Sequence, residues 1–412
     1  RIAYVLFICI GAYLILFTTY LITEPKRPIS EINVEKYFSK EKIQTGKKYF
    51  NQRVLIAFSF LLYQVGILFL LYRSRFGKEL FYKLTKRIDK IFIRSFVYSF
   101  FISFIYLGLL SLPLSFISHF HLKSYKIIHT PIALFLKDYF ISRALLALGF
   151  SIILSIGMYI YYKYRKSFPY LASTVVFVFA FIMTVVFPVF ITPMFNNFEK
   201  MEQNELNLKI HKFLSKNNVK VKNLFVVDAS KRTKAANAYV SGIGPTKEIV
   251  LYDTLIKNYT HDEIISIIAH ELGHYKKHHI WIGFFLYPLS NPFILFAFFF
   301  IIAYLMDYLR ERNHDPAFHL PVIFILIVFS FWIAKPLINS VSRRMERDAD
   351  ITSLKLTNNV KAFMSSEVKI SSKHRYANYS PNLFYRMLFY THPPVKERLG
   401  MGKAYESGLY KK

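Results

Sequence analysis

Apolar runs of roughly helical-span length alternate with short charged segments along most of the chain. Seven of them, 3–22, 54–72, 95–117, 144–162, 170–191, 281–306 and 319–338, are long enough to cross a hydrocarbon core of about 30 Å as helices. Tyr and Trp stand near several of their ends, as interfacial anchors do. The first run reads as a span, since it is too long for a signal-peptide core and lacks a small-residue cleavage pattern. Between the first two runs, Glu41 and Lys42 belong to the solvated surface of a helix. Segment 73–90 carries Arg73, Arg75, Lys78, Lys83, Lys86, Arg87 and Lys90 and reads as a helix facing lipid headgroups. Loops on both sides of the membrane are basic, so charge does not set the orientation.

The longest stretch that does not span is 192–280. It opens on the break Pro193-Met194-Phe195-Asn196. Leu206, Ile210, Phe213 and Leu214 then recur at helical spacing. Segments 224–227, 236–241 and 249–252 read as short strands, with Gly242, Gly244 and Pro245 turning the chain between the last two. Thr260 and Glu263 form a capping box. The helix it starts is expected to run to about Ile280, close to the membrane surface. The seventh run continues as a helix through Asp350, and no internal repeats are found. The pattern predicts a polytopic all-α membrane protein of about seven transmembrane helices, with a small α/β region at the membrane surface.

Composition agrees. Hydrophobic residues make up 54% of the 412 positions and aromatics 18%, too apolar for an ordinary soluble domain. The net charge of +29 lies in short clusters between apolar runs rather than in one stripe. That distribution suits anionic membrane lipid and gives no nucleic-acid face. A single cysteine, Cys9, excludes an intrachain disulfide and a thiolate metal site.

The candidate chemistry lies in the helix that the capping box starts. His270-Glu271-Leu272-Gly273-His274 follows the apolar run 264–269. A helix sets His270 and His274 one turn apart on one face, where two imidazoles can share one Zn²⁺ and leave positions open. Glu271 then stands where it can act as general base toward a water. No H-x-x-G-x-x-H extension follows His274, where the chain reads Tyr275-Lys276-Lys277-His278-His279, so a third ligand must come from a distance. The chain crosses the membrane twice between the fifth and seventh span exits, which returns Glu346 to the face of the motif. Glu346 and Asp350 are i, i+4 neighbours. One of them can ligate metal while the other holds a ligand imidazole or shuttles a proton.

Three motifs in order carry a resemblance: His270-Glu271-Leu272-Gly273-His274, then Ser342-Arg343-Arg344-Met345-Glu346-Arg347-Asp348-Ala349-Asp350, then Thr391-His392-Pro393-Pro394-Val395-Lys396-Glu397-Arg398-Leu399. With Pro193-Met194-Phe195-Asn196, Asp228-Ala229-Ser230-Lys231-Arg232 and Asn237-Ala238-Tyr239, they resemble the integral-membrane zinc proteases that process CAAX prenyl proteins. The likeness runs from about Ile191 to Leu399. It implies a ring of seven long helices around an internal chamber. It implies one Zn²⁺ on His270, His274 and Glu346, with Glu271 as base and Asp350 holding a ligand or donating a proton. It sets His392 and Arg398 near the substrate carbonyl or oxyanion, and Asn237 beside a peptide lying extended along strand 236–241. His279 also falls where the family has a histidine, with no role attached. On this reading, 1–191 holds spans one to five, 192–280 is the surface metalloprotease region, and 281–340 holds spans six and seven. Segment 341–412 then supplies the third zinc ligand and substrate-binding residues.

The implied reaction is peptide hydrolysis after a prenylated C-terminal cysteine, at the endoplasmic reticulum membrane in a eukaryote. In the inner membrane of a bacterium, unprenylated peptides or membrane proteins would be the substrates. A membrane quality-control protease would share the motif on a shorter chain with fewer spans. An intramembrane protease of the site-2 type would set the motif inside a span, where Lys276, Lys277 and His278 do not fit. A transporter with a chance motif would be expected to carry charges within its spans, and these hold few beyond Lys335.

Overall fold

The computed structural model describes residues 28–242, 247–287, 291–310, 315–374 and 378–410, with 11, 14, 15, 18 and 19 besides. The first predicted span therefore lies outside the described residues save for those five positions. Among the described residues, six helices are long and apolar enough to cross a membrane: Lys40–Arg73, Ile91–Ser124, Ile132–Lys163, Arg165–Thr184, Pro292–Leu309 and Pro316–Thr357. They correspond to the second to seventh apolar runs in order, although the fifth and sixth are shortened.

Helix α1 (Lys40–Arg73) is capped by Ser39, whose hydroxyl accepts from Lys42 N. The short α2 (Arg75–Thr85) carries part of the basic segment. Next come α3 (Ile91–Ser103), α4 (Leu112–Ser124), α5 (Ile132–Lys163) and α6 (Phe168–Val186). Tyr98, Ile102, Tyr161, Met306 and Phe324 pack in one cluster between the spans. The outward faces stay apolar: Leu62 is 73% exposed and Ile333 74%. Water would penalise such a surface, whereas lipid solvates it.

The surface region is a small α/β unit. Strand β1 (Phe198–Lys200) is followed by α7 (Glu205–Lys216), β2 (Asn223–Val227), β3 (Ala238–Ser241), β4 (Glu248–Tyr252) and the short α8 (Asp253–Asn258). The sheet order is β1-β2-β4-β3. β4 runs parallel to β2 and antiparallel to β3, with Ala238 opposite Leu251. Ile210, Leu214, Ile249, Leu251, Ile264 and Ile268 form its core, which α7 and α9 (His261–Lys276) cover. The unit is tied to the spans. Arg232 pairs with Asp138 of α5 at 2.6 Å, and the Thr130 hydroxyl donates to Arg232 O at 2.7 Å.

The capping box forms as expected. Thr260 N donates to Glu263 Oε2 at 2.8 Å, and Glu263 N to Thr260 Oγ1 at 3.4 Å. The far end of this helix departs from expectation, since α9 stops at Lys276 rather than near Ile280. His278 takes a left-handed conformation (φ 55°), and a new helix, α10 (His279–Leu286), begins after it. The sixth run is interrupted as well, because α11 (Pro292–Arg310) starts afresh at Pro292. Asn291 Oδ1 accepts from Phe293 N and Ile294 N, and proline suits the first turn of a helix because its missing donor is not needed there.

Helix α12 (Leu320–Thr357) leaves the spans without a break and packs along α9. The two backbones meet at Gly273, where an added Cβ would lie 2.8 Å from Ala349 Cα and 3.1 Å from Ala349 O. Farther along the same contact, the Ser353 hydroxyl donates to Ser266 O at 2.7 Å. The chain then closes through α13 (Val360–Lys369), α14 (Leu383–Phe389) and α15 (Val395–Glu406). Arg343 of α12 donates to the carbonyls of Arg386 and Tyr390, at 2.6 and 2.7 Å, and Asn339 donates to that of Met387 at 2.7 Å. Glu397 is bound by both Arg347 and Arg386. These bonds hold the 391–399 segment against α12.

The contact at Gly273 has no room for a methyl group, so Gly273→Ala must separate α9 from α12. The expected cost is about 1–3 kcal/mol, read as a lower Tm of the detergent-purified chain. Gly283→Ala, whose Cβ would meet nothing closer than 3.7 Å, is the control and should leave Tm unchanged. Equal melting of the two variants would contradict the close packing.

Candidate active site

The site is built where α9 and α12 face each other. His270 and His274 lie one turn apart on α9, with their Nε2 atoms 3.1 Å apart. Glu346 of α12 reaches both, with Oε2 3.2 Å from His270 Nε2 and Oε1 3.6 Å from His274 Nε2. Among the described residues these three make a cluster of suitable metal-donor type, with ligand atoms within 4.8 Å of one another.

Each imidazole is held at its other nitrogen. Asp350, one turn beyond Glu346, is fully buried, and its Oδ1 lies 2.8 Å from His270 Nδ1. A carboxylate can only accept, so His270 carries a proton on Nδ1, which leaves Nε2 as the nitrogen that can offer a lone pair to a metal. His274 Nδ1 lies 2.9 Å from His279 Nδ1. Burial first, then the His274 ring beside it, lower the His279 pKa to about 4, so that ring is neutral at neutral pH.

The donor set fits a zinc ion on this structure's own geometry. The buried Glu346 Oε2 has no hydrogen-bond partner among the described residues, although it faces His270 Nε2 at 3.2 Å. Either a proton on Nε2 or a cation between the two atoms would satisfy both, and the second His at 3.1 Å suits the cation. Zinc–ligand bonds of about 2.0–2.1 Å put two tetrahedral ligand atoms about 3.3 Å apart, close to the 3.1 Å between the two Nε2 atoms and the 3.2 Å from His270 Nε2 to Glu346 Oε2. Two nitrogens and one carboxylate also leave a fourth position open, as catalytic zinc sites do.

Glu271 lies beside this cluster and lines a cavity of about 60 Å³ together with Asn237, His270, His392 and Arg398. The space holds about four waters. Removal from solvent pushes the Glu271 carboxyl above its ordinary range. Glu346 adds to the shift, while His270, His274 and Arg398 oppose it. His392 stands at the mouth, 38% exposed, with Nε2 3.4 Å from Glu346 Oε1. Asn237 directly precedes β3, which is the edge strand of the sheet. The structure thus gathers all eight residues singled out by sequence: His270, Glu271, His274, Glu346, Asp350, His392, Arg398 and Asn237.

The position of Arg398 adds something the sequence did not reveal. It is buried, and its guanidinium forks onto both oxygens of Asp350 and reaches Glu367 Oε2 at 2.5 Å. Its charge is therefore engaged behind His270 even though the side chain lines the cavity. Glu367, buried on α13, gave no signal in the sequence. His279 had only its place in the family pattern. Its contact with His274 depends on the break at His278, which no periodicity foretells.

Two family models cover nearly the whole chain. Residues 200–403 match peptidase family M48, and residues 7–197 match the CAAX prenyl protease N-terminal region of five membrane helices. CAAX prenyl protease 1 of Saccharomyces cerevisiae is 30% identical over 331 residues, 72% of this chain and 71% of that one. The Arabidopsis thaliana CAAX prenyl protease 1 homolog is 35% identical over 246 residues, and that match spans 57% of this chain and 56% of the relative. An uncharacterized metalloprotease of Bacillus subtilis, YhfN, is 29% identical over 304 residues, 71% of this chain and 69% of that one. The crystal structure of S. mikatae Ste24p superposes with a TM-score of 0.76, covering 97% of this chain and 98% of that chain. At 22% identity this is a likeness of fold. On these matches the chain belongs to peptidase family M48, a metalloprotease family, and within it to the multi-pass membrane proteins of the CAAX prenyl protease group.

Proposed function

We propose that this chain is a zinc-dependent membrane endopeptidase holding one Zn²⁺, and that it removes a C-terminal tripeptide after a prenylated cysteine. The observation that carries the zinc reading is the convergence of His270 Nε2, His274 Nε2 and the otherwise unbonded Glu346 Oε2 beside Glu271. The prenylated substrate is supported by the likeness to the yeast and Arabidopsis proteins named for that processing.

A zinc ion on His270, His274 and Glu346 would act as a Lewis acid on a peptide carbonyl and acidify a water in the cavity. Glu271 takes the proton of the attacking water and delivers it to the leaving amine, so its raised pKa suits both halves of that transfer. Asp350 lies behind His270, with its carboxylate filled by that ring and by Arg398. This favours the holding role over the proton-donor role. Arg398 keeps Asp350 ionised and in place. His392, at the mouth, is the group left to steady the developing oxyanion. The substrate backbone lies along β3, whose outer edge pairs with no strand among the described residues, and Asn237 fixes its register. The membrane that holds the enzyme is the endoplasmic reticulum in a eukaryote and the inner membrane in a bacterium.

Two outcomes follow. Glu271→Gln should keep its zinc and lose about 10²–10⁴-fold in kcat/KM. Normal turnover by the zinc-loaded variant would remove Glu271 as base. For the substrate, a farnesylated C-terminal CAAX peptide given to the detergent-purified chain should lose its last three residues in a chelator-sensitive way. Chelator-sensitive cleavage of an unprenylated peptide alone would move the function to general membrane proteolysis, and cleavage of neither would refute the protease reading.

A further inference from the structure

We infer that His279 is a positioning residue for His274. It accepts the Nδ1 proton of His274 and so turns that ring's Nε2 lone pair toward His270 and Glu346. The inference rests on the reading of His274 as a metal ligand.

Proton count sets the direction of the His274–His279 bond. Two imidazole nitrogens 2.9 Å apart need one proton between them, with one ring donating and the other accepting. His274 Nε2 faces His270 Nε2 at 3.1 Å and Glu346 Oε1 at 3.6 Å. To bind a cation there, Nε2 must be a lone pair, which places the His274 proton on Nδ1. His279 Nδ1 is then the acceptor, and the His279 proton sits on Nε2. That nitrogen faces Asp348 Oδ2 at 4.0 Å. The distance is too long for a direct hydrogen bond, but the carboxylate's field favours the same tautomer. Every proton in the chain Asp348–His279–His274 has one consistent place.

The backbone is shaped to make this contact. In an unbroken helix His279 would stand about 140° around the axis from His274. The left-handed residue His278, φ 55° and ψ 32°, ends α9 and restarts the chain as α10. Side chains rarely adopt this conformation, and here it returns His279 to the His274 face. His278 is exposed, whereas His279 is only 5% exposed. Both ligand rings are thus backed by α12, His270 directly by Asp350 and His274 through His279 by Asp348. The acceptor behind His270 is an anion and the one behind His274 a neutral ring, so His270 is the stronger of the two donors.

The test compares zinc retention in full-length His279→Asn, His279→Gln and His279→Phe, purified in detergent and challenged with excess chelator. Asn places an amide oxygen where Nδ1 stood, Gln places one where Nε2 stood, and Phe keeps the ring without an acceptor. Loss of a partner of this kind weakens metal binding about 10–100-fold. His279→Phe and His279→Gln should therefore release zinc faster by about that factor, and their Co²⁺-substituted forms should show a shifted visible spectrum. His279→Asn should stay within a few-fold of wild type and keep the spectrum. If His279→Phe does not fold, the contrast between Asn and Gln decides alone. Retention that is equal in Asn and Gln, or that follows Tm across the series, would reduce His279 to packing and overturn the inference. A wild-type chain that binds no zinc would instead overturn the ligand reading on which it stands.

Discussion

The approach of Gly273 to Ala349 fixes what the rest of the site can be. It brings α9 and α12 close enough for Glu346 to reach two histidines more than 70 positions earlier in the chain. A side chain at Gly273 would hold the helices apart. The serine pair Ser266 and Ser353 continues the same seam, about two turns of α9 away from Gly273. α12 is also the seventh span, so the membrane bundle and the surface region share one continuous helix, with Pro336 inside it. The salt bridge from Arg232 to Asp138 then ties the strand side of the site to α5.

Packing at this seam imposes an electrostatic demand. Glu346, Asp350 and Glu367 are all buried, and the Arg398 guanidinium pairs with the last two. Burial raises Glu367 above the usual carboxylate range, which relieves part of the excess negative charge. Breaking a buried pair of this kind costs about 3–5 kcal/mol, because the remaining charge is left without a partner. A dication held by His270, His274 and Glu346, as proposed, would supply positive charge to this lining.

Much of this was legible in the sequence because it is local. The capping box at Thr260, the i, i+4 spacings of His270 with His274 and of Glu346 with Asp350, and the apolar length of the spans depend on neighbours within a turn or two. Where the sequence failed, the cause was a single backbone residue or a distant pairing. One left-handed conformation at His278 ended α9 early and placed His279. Asn291 and Pro292 restarted the sixth span where hydrophobicity alone ran on. The grip of Arg398 on Asp350 and Glu367 joins residues 48 and 31 positions apart, and nothing in their spacing announces it. Sequence reading placed Arg398 near the reaction centre, and only the packing of α13 and α15 revealed what it holds.

The central claim is that α12 completes a zinc site begun on α9. Metal analysis of the purified full-length chain, wild type beside Glu346→Ala, tests it most directly. The account predicts one zinc per wild-type chain and little in the variant, with the histidines alone too weak to hold the ion through purification. Zinc at one per chain in both proteins, or in neither after zinc is supplied, would contradict it.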